Sequence, residues 1–398
     1  MSDPGRKMVE LMEKLYPLCR SLTGDGVRRT LDLIEEQIPL DRTEVPSGTQ
    51  VYDWTLPREW NIRGAWLAGP NGERVVDFAD SNLHVLGYSV AVRKLLPLAE
   101  LREHLFSDPE RPEVTPYRTS YHNENWGFCL PHRQLEALPD GEYEAVIDST
   151  LEDGNVTYAE CVLPGESEDE ILLSTYICHP SLCNDNLSGI ALLTELAKHL
   201  QAQTRRYSYR FLFSPATIGP LTWLSRNEHR LDRIKHGLVA ACVGDPGPLT
   251  YKRSRRGDAE VDRAAEQIVR AAGGEVRDFT PLGGDERQFC SPGFNLPVGV
   301  LTRSPQDEFP GTTPPPTTSH SSTESTWPTR SELTSPCSIF SSSPRRLIPT
   351  CLVPRERSPT GTRPTSTSTR RASRNSGSAA CIAQLAAGRL PKARSSGC

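Results

Sequence analysis

The sequence predicts an α/β fold: a mostly parallel sheet flanked by helices on both faces, with a small β-rich domain inserted near its N-terminal end. Three observations predict it. Between Glu170 and Leu301, short aliphatic runs of strand length alternate with helical stripes, the pattern of a parallel sheet covered by its crossover helices. Two amphipathic helical stripes open the chain. From Leu40 to about Trp126 the texture changes to short alternating runs between turn signals, as in a module of antiparallel strands.

In chain order, Met8, Leu11, Met12, Leu15, Leu18, Cys19 and Leu22 recur at helical spacing, which predicts a helix ended by Gly24-Asp25-Gly26. A second helix is expected from Val27 to Ile38, with Leu31 and Ile34 inward and Pro39 as its stop. The runs Gln50–Trp54 and Arg74–Phe78 read as strands, the latter after the turn signal Pro70-Asn71-Gly72. The module ends in Tyr117, Tyr121, His122 and Trp126, which read as a small core with surface aromatics in preference to a substrate shelf. Ile171–Cys178 is expected to be a buried strand, Leu187 to Leu200 a helix, and Tyr207–Phe213, Leu238–Val243 and Val298–Leu301 further strands. The expected domains are 1–39 with 127–310 as the α/β body, 40–126 as the insertion, and 311–398 as a tail.

Composition narrows the function classes. The 398 residues carry a net charge of −5, but the segment from Gly311 onward has twelve basic and three acidic residues, leaving −14 on the body. An acidic body disfavours a nucleic-acid groove, and the basic tail lacks the aromatic or helical organisation of a nucleic-acid arm. The N-terminal stretch MSDPGRKMVELMEKL is charged and amphipathic, unlike a secretory or membrane segment. Eleven cysteines without a CxxC pair point to a reducing, cytoplasmic compartment. The oligomeric state is not legible.

In open α/β sheets ligands bind at the carboxyl ends of the strands. After the first body strand come Cys178-His179-Pro180 and Asn184-Asp185-Asn186-Leu187-Ser188-Gly189. After the second comes Ser214-Pro215-Ala216-Thr217-Ile218-Gly219, after the third Gly244-Asp245-Pro246-Gly247, and before the fourth Gly284-Asp285-Glu286-Arg287. His179, Asp185 and Asp245 therefore reach one sheet edge, and an imidazole with two carboxylates suits zinc. Each also has a plainer reading: a satisfied loop histidine, a helix cap at Asp185, a turn at Asp245. Cys178 and Cys183 read as inert small hydrophobes.

The blocks LYPLCRSLTGDGVRRTL, STYICHPSLCNDNLSG, RYSYRFLFSPATIGP, ACVGDPG and DERQFCSPGFNLPVG resemble a bacterial family catalogued as a domain of unknown function, whose members look like zinc aminopeptidases and are associated with polysaccharide biosynthesis. The similarity runs from about Lys7 to Pro310. It implies a zinc-exopeptidase-like fold with an inserted β domain and a closing winged helix. It also implies up to two zinc ions, with His179, Asp185 and Asp245 as metal ligands, and a peptide or aminoacyl substrate. Two departures stand out. The acidic site after the second strand is Ala216, and the final metal histidine, expected soon after Pro310 in a block like Tyr-His-Thr-Ser-Ala-Asp, is absent. The resemblance implies a zinc-dependent hydrolase. The departures imply that this chain is impaired, or that it is an inactive binding protein of surface-polysaccharide assembly. No catalytic residue is assigned.

The codons of the segment after Pro310 permit the missing block in another reading frame. Gly311 to Ser319 reads Gly-Thr-Thr-Pro-Pro-Pro-Thr-Thr-Ser. Joining the last base of each codon to the first two of the next permits Tyr-His-Thr-Ser-Ala-Asp-Asn-Leu at every slot. The Ser/Thr/Pro/Arg-rich tail is therefore expected to be a frameshifted and disordered replacement of the remaining fold.

Overall fold

The computed structural model describes residues 4–305 apart from His122. The expectations for the tail and for His122 lie outside the described residues.

Helix α1 (Pro4–Leu15) buries Met8, Leu11, Met12 and Leu15 along one face. It stops short of the expected Leu22. Pro17 follows, and the residue before a proline is driven out of helical conformation. Residues 16–24 instead form a loop whose second half, including Arg20, Ser21 and Thr23, is buried. Gly24 closes it at φ 91°, with a Cβ position only 2.2 Å from the Trp60 carbonyl oxygen, so only glycine fits. Helix α2 (Asp25–Glu35) buries Val27, Leu31 and Ile34.

Strand β1 (Asp41–Pro46) leads into the inserted module, whose sheet contains β2 (Glu59–Ala68), β3 (Arg74–Asp77), β4 (Val92–Pro97) and β5 (Glu142–Glu152) in the order β3-β2-β5-β4. The module and the expected segment 40–126 do not share boundaries. Strand β1 lies in the large sheet, and β5, beyond Trp126, pairs with β2 from Glu59↔Glu152 to Ala68↔Glu144. The run EYEAVIDSTL alternates, placing Tyr143, Ala145 and Ile147 in a separate core with Leu67, Val76, Leu98 and Phe128. Within the expected aromatic cluster, Trp126 belongs to this core, while Tyr117 and Tyr121 lie elsewhere, beside the site described below.

The body continues with β6 (Asn155–Leu163), β7 (Glu170–Tyr176), helix α3 (Ser188–Gln201), β8 (Ser208–Ser214), α4 (Ile218–Asn227) and β9 (Ile234–Ala240). Then follow β10 (Thr250–Lys252), α5 (Glu260–Ala271), β11 (Glu275–Arg277), α6 (Glu286–Phe289) and β12 (Val298–Thr302). The large sheet has eight strands in the order β1-β6-β8-β7-β9-β12-β10-β11. Its central strands β8, β7, β9 and β12 are mutually parallel, whereas β1, β6 and β10 join antiparallel, so the sheet is mixed with a parallel centre. Alternate residues of β7 serve opposite faces: Ile171 and Leu173 pack with α1, α2, α3 and α5, Leu172 and Tyr176 with α4 and α6. Both faces are covered, which is why β7 is buried along its whole length.

Candidate metal centre

Strands β7, β8 and β9 are adjacent and parallel, so their carboxyl ends open on one edge. His179 follows β7, Ala216 follows β8 and Asp245 follows β9. Asp185 lies in the turn Cys183–Leu187 that starts α3. The segment around Asp185 is stitched to the loop after β9. Asn184 Oδ1 accepts the Gly244 N–H at 2.8 Å, Asn186 Oδ1 accepts the Cys242 N–H at 3.1 Å, and Ser188 Oγ accepts the Val243 N–H at 3.1 Å. The polar residues around Asp185 are thus structural, satisfying buried backbone donors and aiming Asp185.

The structure brings His179 and Asp185 together, with Nε2 3.9 Å from Oδ2. The other oxygen of Asp185 is taken: the Tyr176 hydroxyl donates to Oδ1. Burial, then the Asp185 charge, raises the Tyr176 phenol well above its usual range, so it stays a donor. Burial also pushes the His179 imidazole down, opposed by Asp185 and assisted by Arg20. The Cys178 sulfur lies 3.3 Å from His179 Nδ1, but burial pushes this thiol up to about 12, which supports reading it as inert. Arg20 reaches up from the loop after α1. Its Nε donates to the His179 carbonyl at 2.9 Å and its Nη1 to the Leu15 carbonyl at 2.5 Å. Leu15 ends α1, so the guanidinium also faces the negative end of a helix dipole. Tyr117, from the inserted module, places its ring 5.3 Å from that of His179 and its hydroxyl 2.7 Å from that of Tyr121.

Asp245 is near the pair but does not join it. Both its oxygens accept hydrogen bonds, from Asn184, Gly247 and Ser304. At residue 216 the side chain is a methyl group, and its backbone N–H points at the Cys178 sulfur at 3.2 Å. The next N–H, of Thr217, donates to Asp285 Oδ1 at 2.7 Å. Asp285 is fully buried, and burial lifts its carboxyl to about 7. The neighbouring Glu286 is ion-paired with Lys252.

A co-catalytic zinc pair does not fit this donor set. Among the described residues no three His, Cys, Asp or Glu side chains converge to hold a metal ion. Of the expected trio, His179 and Asp185 lie side by side. The Asp245 oxygens face Asn184, Gly247 and Ser304 instead. Sequence reasoning missed Tyr176, Arg20 and Asp285, although each lies in or beside a block singled out above. A tyrosine two residues before the Cys178-His179 step and a charged residue between Leu18 and Leu22 were the available signals.

Among the described residues no helix is long and apolar enough to cross a membrane. A family profile described as "Domain of unknown function (DUF4910)" matches residues 9–318. A Clostridium acetobutylicum protein, described as a candidate polysaccharide biosynthesis protein with an aminopeptidase-like domain, is 55% identical over 305 residues, covering 76% of this chain and 70% of its own. The crystal structure of a candidate peptidase from Clostridium acetobutylicum superposes with a TM-score of 0.75 at 54% identity, over 76% of this chain and 72% of that one. BSAP, a zinc aminopeptidase from Bacillus subtilis, shares the fold at a TM-score of 0.55 and 13% identity, over 76% of this chain and 84% of its own. With the profile spanning most of its length and the fold that of the zinc exopeptidases, the chain belongs to the DUF4910 family.

Proposed function

We propose that this chain is an aminopeptidase-like protein that receives a peptide or aminoacyl ligand at the carboxyl ends of its parallel strands. We further propose that it hydrolyses the ligand poorly or not at all. The observation that carries this is Ala216. It closes the strand next to β7, where a carboxylate would stand beside His179 and Asp185 as a further metal donor or as the base for an attacking water. A methyl group can be neither. Asp285, bonded to the residue after Ala216, is a candidate substitute, but one of its oxygens is held by Thr217 and its carboxyl is partly protonated at neutral pH. His179 and Asp185 alone offer two donors, fewer than the three protein ligands usual for a catalytic zinc ion. Weak, partial zinc binding follows. The aminopeptidase-like domain of the Clostridium acetobutylicum relative, in a protein described by polysaccharide biosynthesis, favours a binding role in surface-polysaccharide assembly over peptide turnover.

The test is elemental analysis of the purified full chain after dialysis against a mild chelator, with hydrolysis of aminoacyl 4-nitroanilides measured in added zinc. We expect less than one zinc ion per chain and no nitroaniline release above the buffer rate. Two tightly held zinc ions, or efficient release, would overturn the proposal and favour the competing reading, an active zinc-dependent aminopeptidase.

A further inference from the structure

Asp245 is the expected ligand whose surroundings least resemble those of one. It is buried, and it accepts four hydrogen bonds. Oδ1 takes the Gly247 N–H at 2.6 Å and the Ser304 hydroxyl at 2.9 Å, while Oδ2 takes the Asn184 amide at 3.1 Å and the Ser304 N–H at 3.2 Å. A carboxylate offers about four lone-pair sites, so its accepting capacity is used. The donors come from three segments. Asn184 belongs to the loop after β7, Gly247 to the turn after β9, and Ser304 to the chain leaving β12.

Two of these segments, the turn after β9 and the chain leaving β12, are joined again around this carboxylate. The Arg303 N–H and the Thr302 hydroxyl both donate to the Cys242 carbonyl, at 3.0 and 3.2 Å, and Arg303 Nη1 donates to the Gly247 carbonyl at 2.9 Å. Gly247 has no room for a side chain, because a Cβ there would lie 2.3 Å from the Ser304 hydroxyl and 2.6 Å from Asp245 Oδ1. A substitution at Gly247 would push the arrangement apart.

We propose that Asp245 is a clasp and not a metal ligand. By hydrogen bonds it joins three strand-end loops that a shared ion would otherwise have to join, so the loops keep their arrangement without one. The inference rests on this geometry alone and holds whether or not the site binds a peptide or aminoacyl ligand.

The test uses the full chain and two measurements. In thermal unfolding with a strong chelator present, Asp245→Asn keeps the shape but sets an amide donor against donors. Its melting temperature should fall by about 5 °C or more, and Ser304→Ala, which removes one donor, should fall by less. In a cobalt(II) titration, Asp245→Asn should bind as much as the unsubstituted chain, while His179→Ala loses whatever that chain binds. An Asp245→Asn protein that melts like the unsubstituted chain in chelator would overturn the proposal. So would a folded Asp245→Asn protein that loses cobalt as completely as His179→Ala. If Asp245→Asn does not fold, Ser304→Ala decides: a lowered melting temperature in chelator supports the clasp, and an unchanged one overturns it. If the unsubstituted chain binds no cobalt, the melting temperatures in chelator decide alone.

Discussion

Asp285 gives one carboxyl oxygen to the Thr217 N–H, and its other oxygen is buried with no partner among the described residues. Burial first, and the Glu286 charge next, lift its carboxyl from 3.8 to about 7. The folded chain therefore holds this proton more tightly than the unfolded chain, and stability attached to the group is lost as pH rises from about 4 towards about 7. Asp285→Asn keeps an acceptor for Thr217 and cannot ionise. It should melt above the unsubstituted chain at pH 8 and level with it below pH 4, and a melting series across that range checks this. Residues of this kind were only partly legible. His179 and Asp185 could be chosen because a position after a strand end is a local property of the sequence. Arg20 could not be tied to His179, because that contact joins residues 159 apart in the chain. The use of Asp245 was hidden for the same reason, since two of its bonds go to Ser304.

Arg28, on α2, ties three elements together. Its Nη1 and Nη2 donate to the two oxygens of Glu59 on β2 at 2.8 and 2.5 Å, and its Nε donates to Glu44 on β1 at 2.9 Å. The bidentate bond from Arg28 is the largest cause of a Glu59 carboxyl held down at about 2, from 4.5. The folded pKa is depressed, so this contribution is fully present above about pH 4.5 and is lost as pH falls through about 2. Glu59→Gln should lower stability at pH 7 and flatten the acid limb of the stability curve between those limits. Chemical denaturation at pH 7, 4 and 3 would show it, and an unchanged acid limb would count against the tie. At this scale the sequence was informative where period and composition agreed. The strands around β7 and the stripe of α3 are continuous and apolar. It misled at α1, where apolar spacing continues past Leu15 into the loop. It also misled at β1 and β5, whose sheet membership depends on partners far along the chain, such as Asp41↔Glu160 and Ala68↔Glu144.

For the whole molecule, a shifted frame after Pro310 would be written in the gene. The described residues end at Pro305, and the family profile continues to residue 318. DNA around the Gly311 codon is expected to encode Tyr-His-Thr-Ser-Ala-Asp or a close variant in one of the other two frames, and resequencing the gene checks it. Should neither frame do so, the Ser/Thr/Pro-rich sequence stands as native. The parallel centre of the large sheet was legible because βα alternation is a chain-wide pattern; its antiparallel flanks were not, because nothing local announces the partner of β6. That flank also governs how the chain accommodates its largest excursion. Pro46 pairs with Asn155 across β1 and β6, and just beyond them the Ser47 N–H donates to the Gly154 carbonyl while the Gly154 N–H donates to the Ser47 hydroxyl. To the large sheet these strands are a hairpin, and everything from Ser47 to Gly154 is its turn. A folded turn with its ends one rung apart imposes little more closure entropy than a short one. The module is thus a cassette: its length can change without moving the register of any strand that leads to His179 or Asp185, so long as Tyr117 and Glu59 keep their contacts with the body.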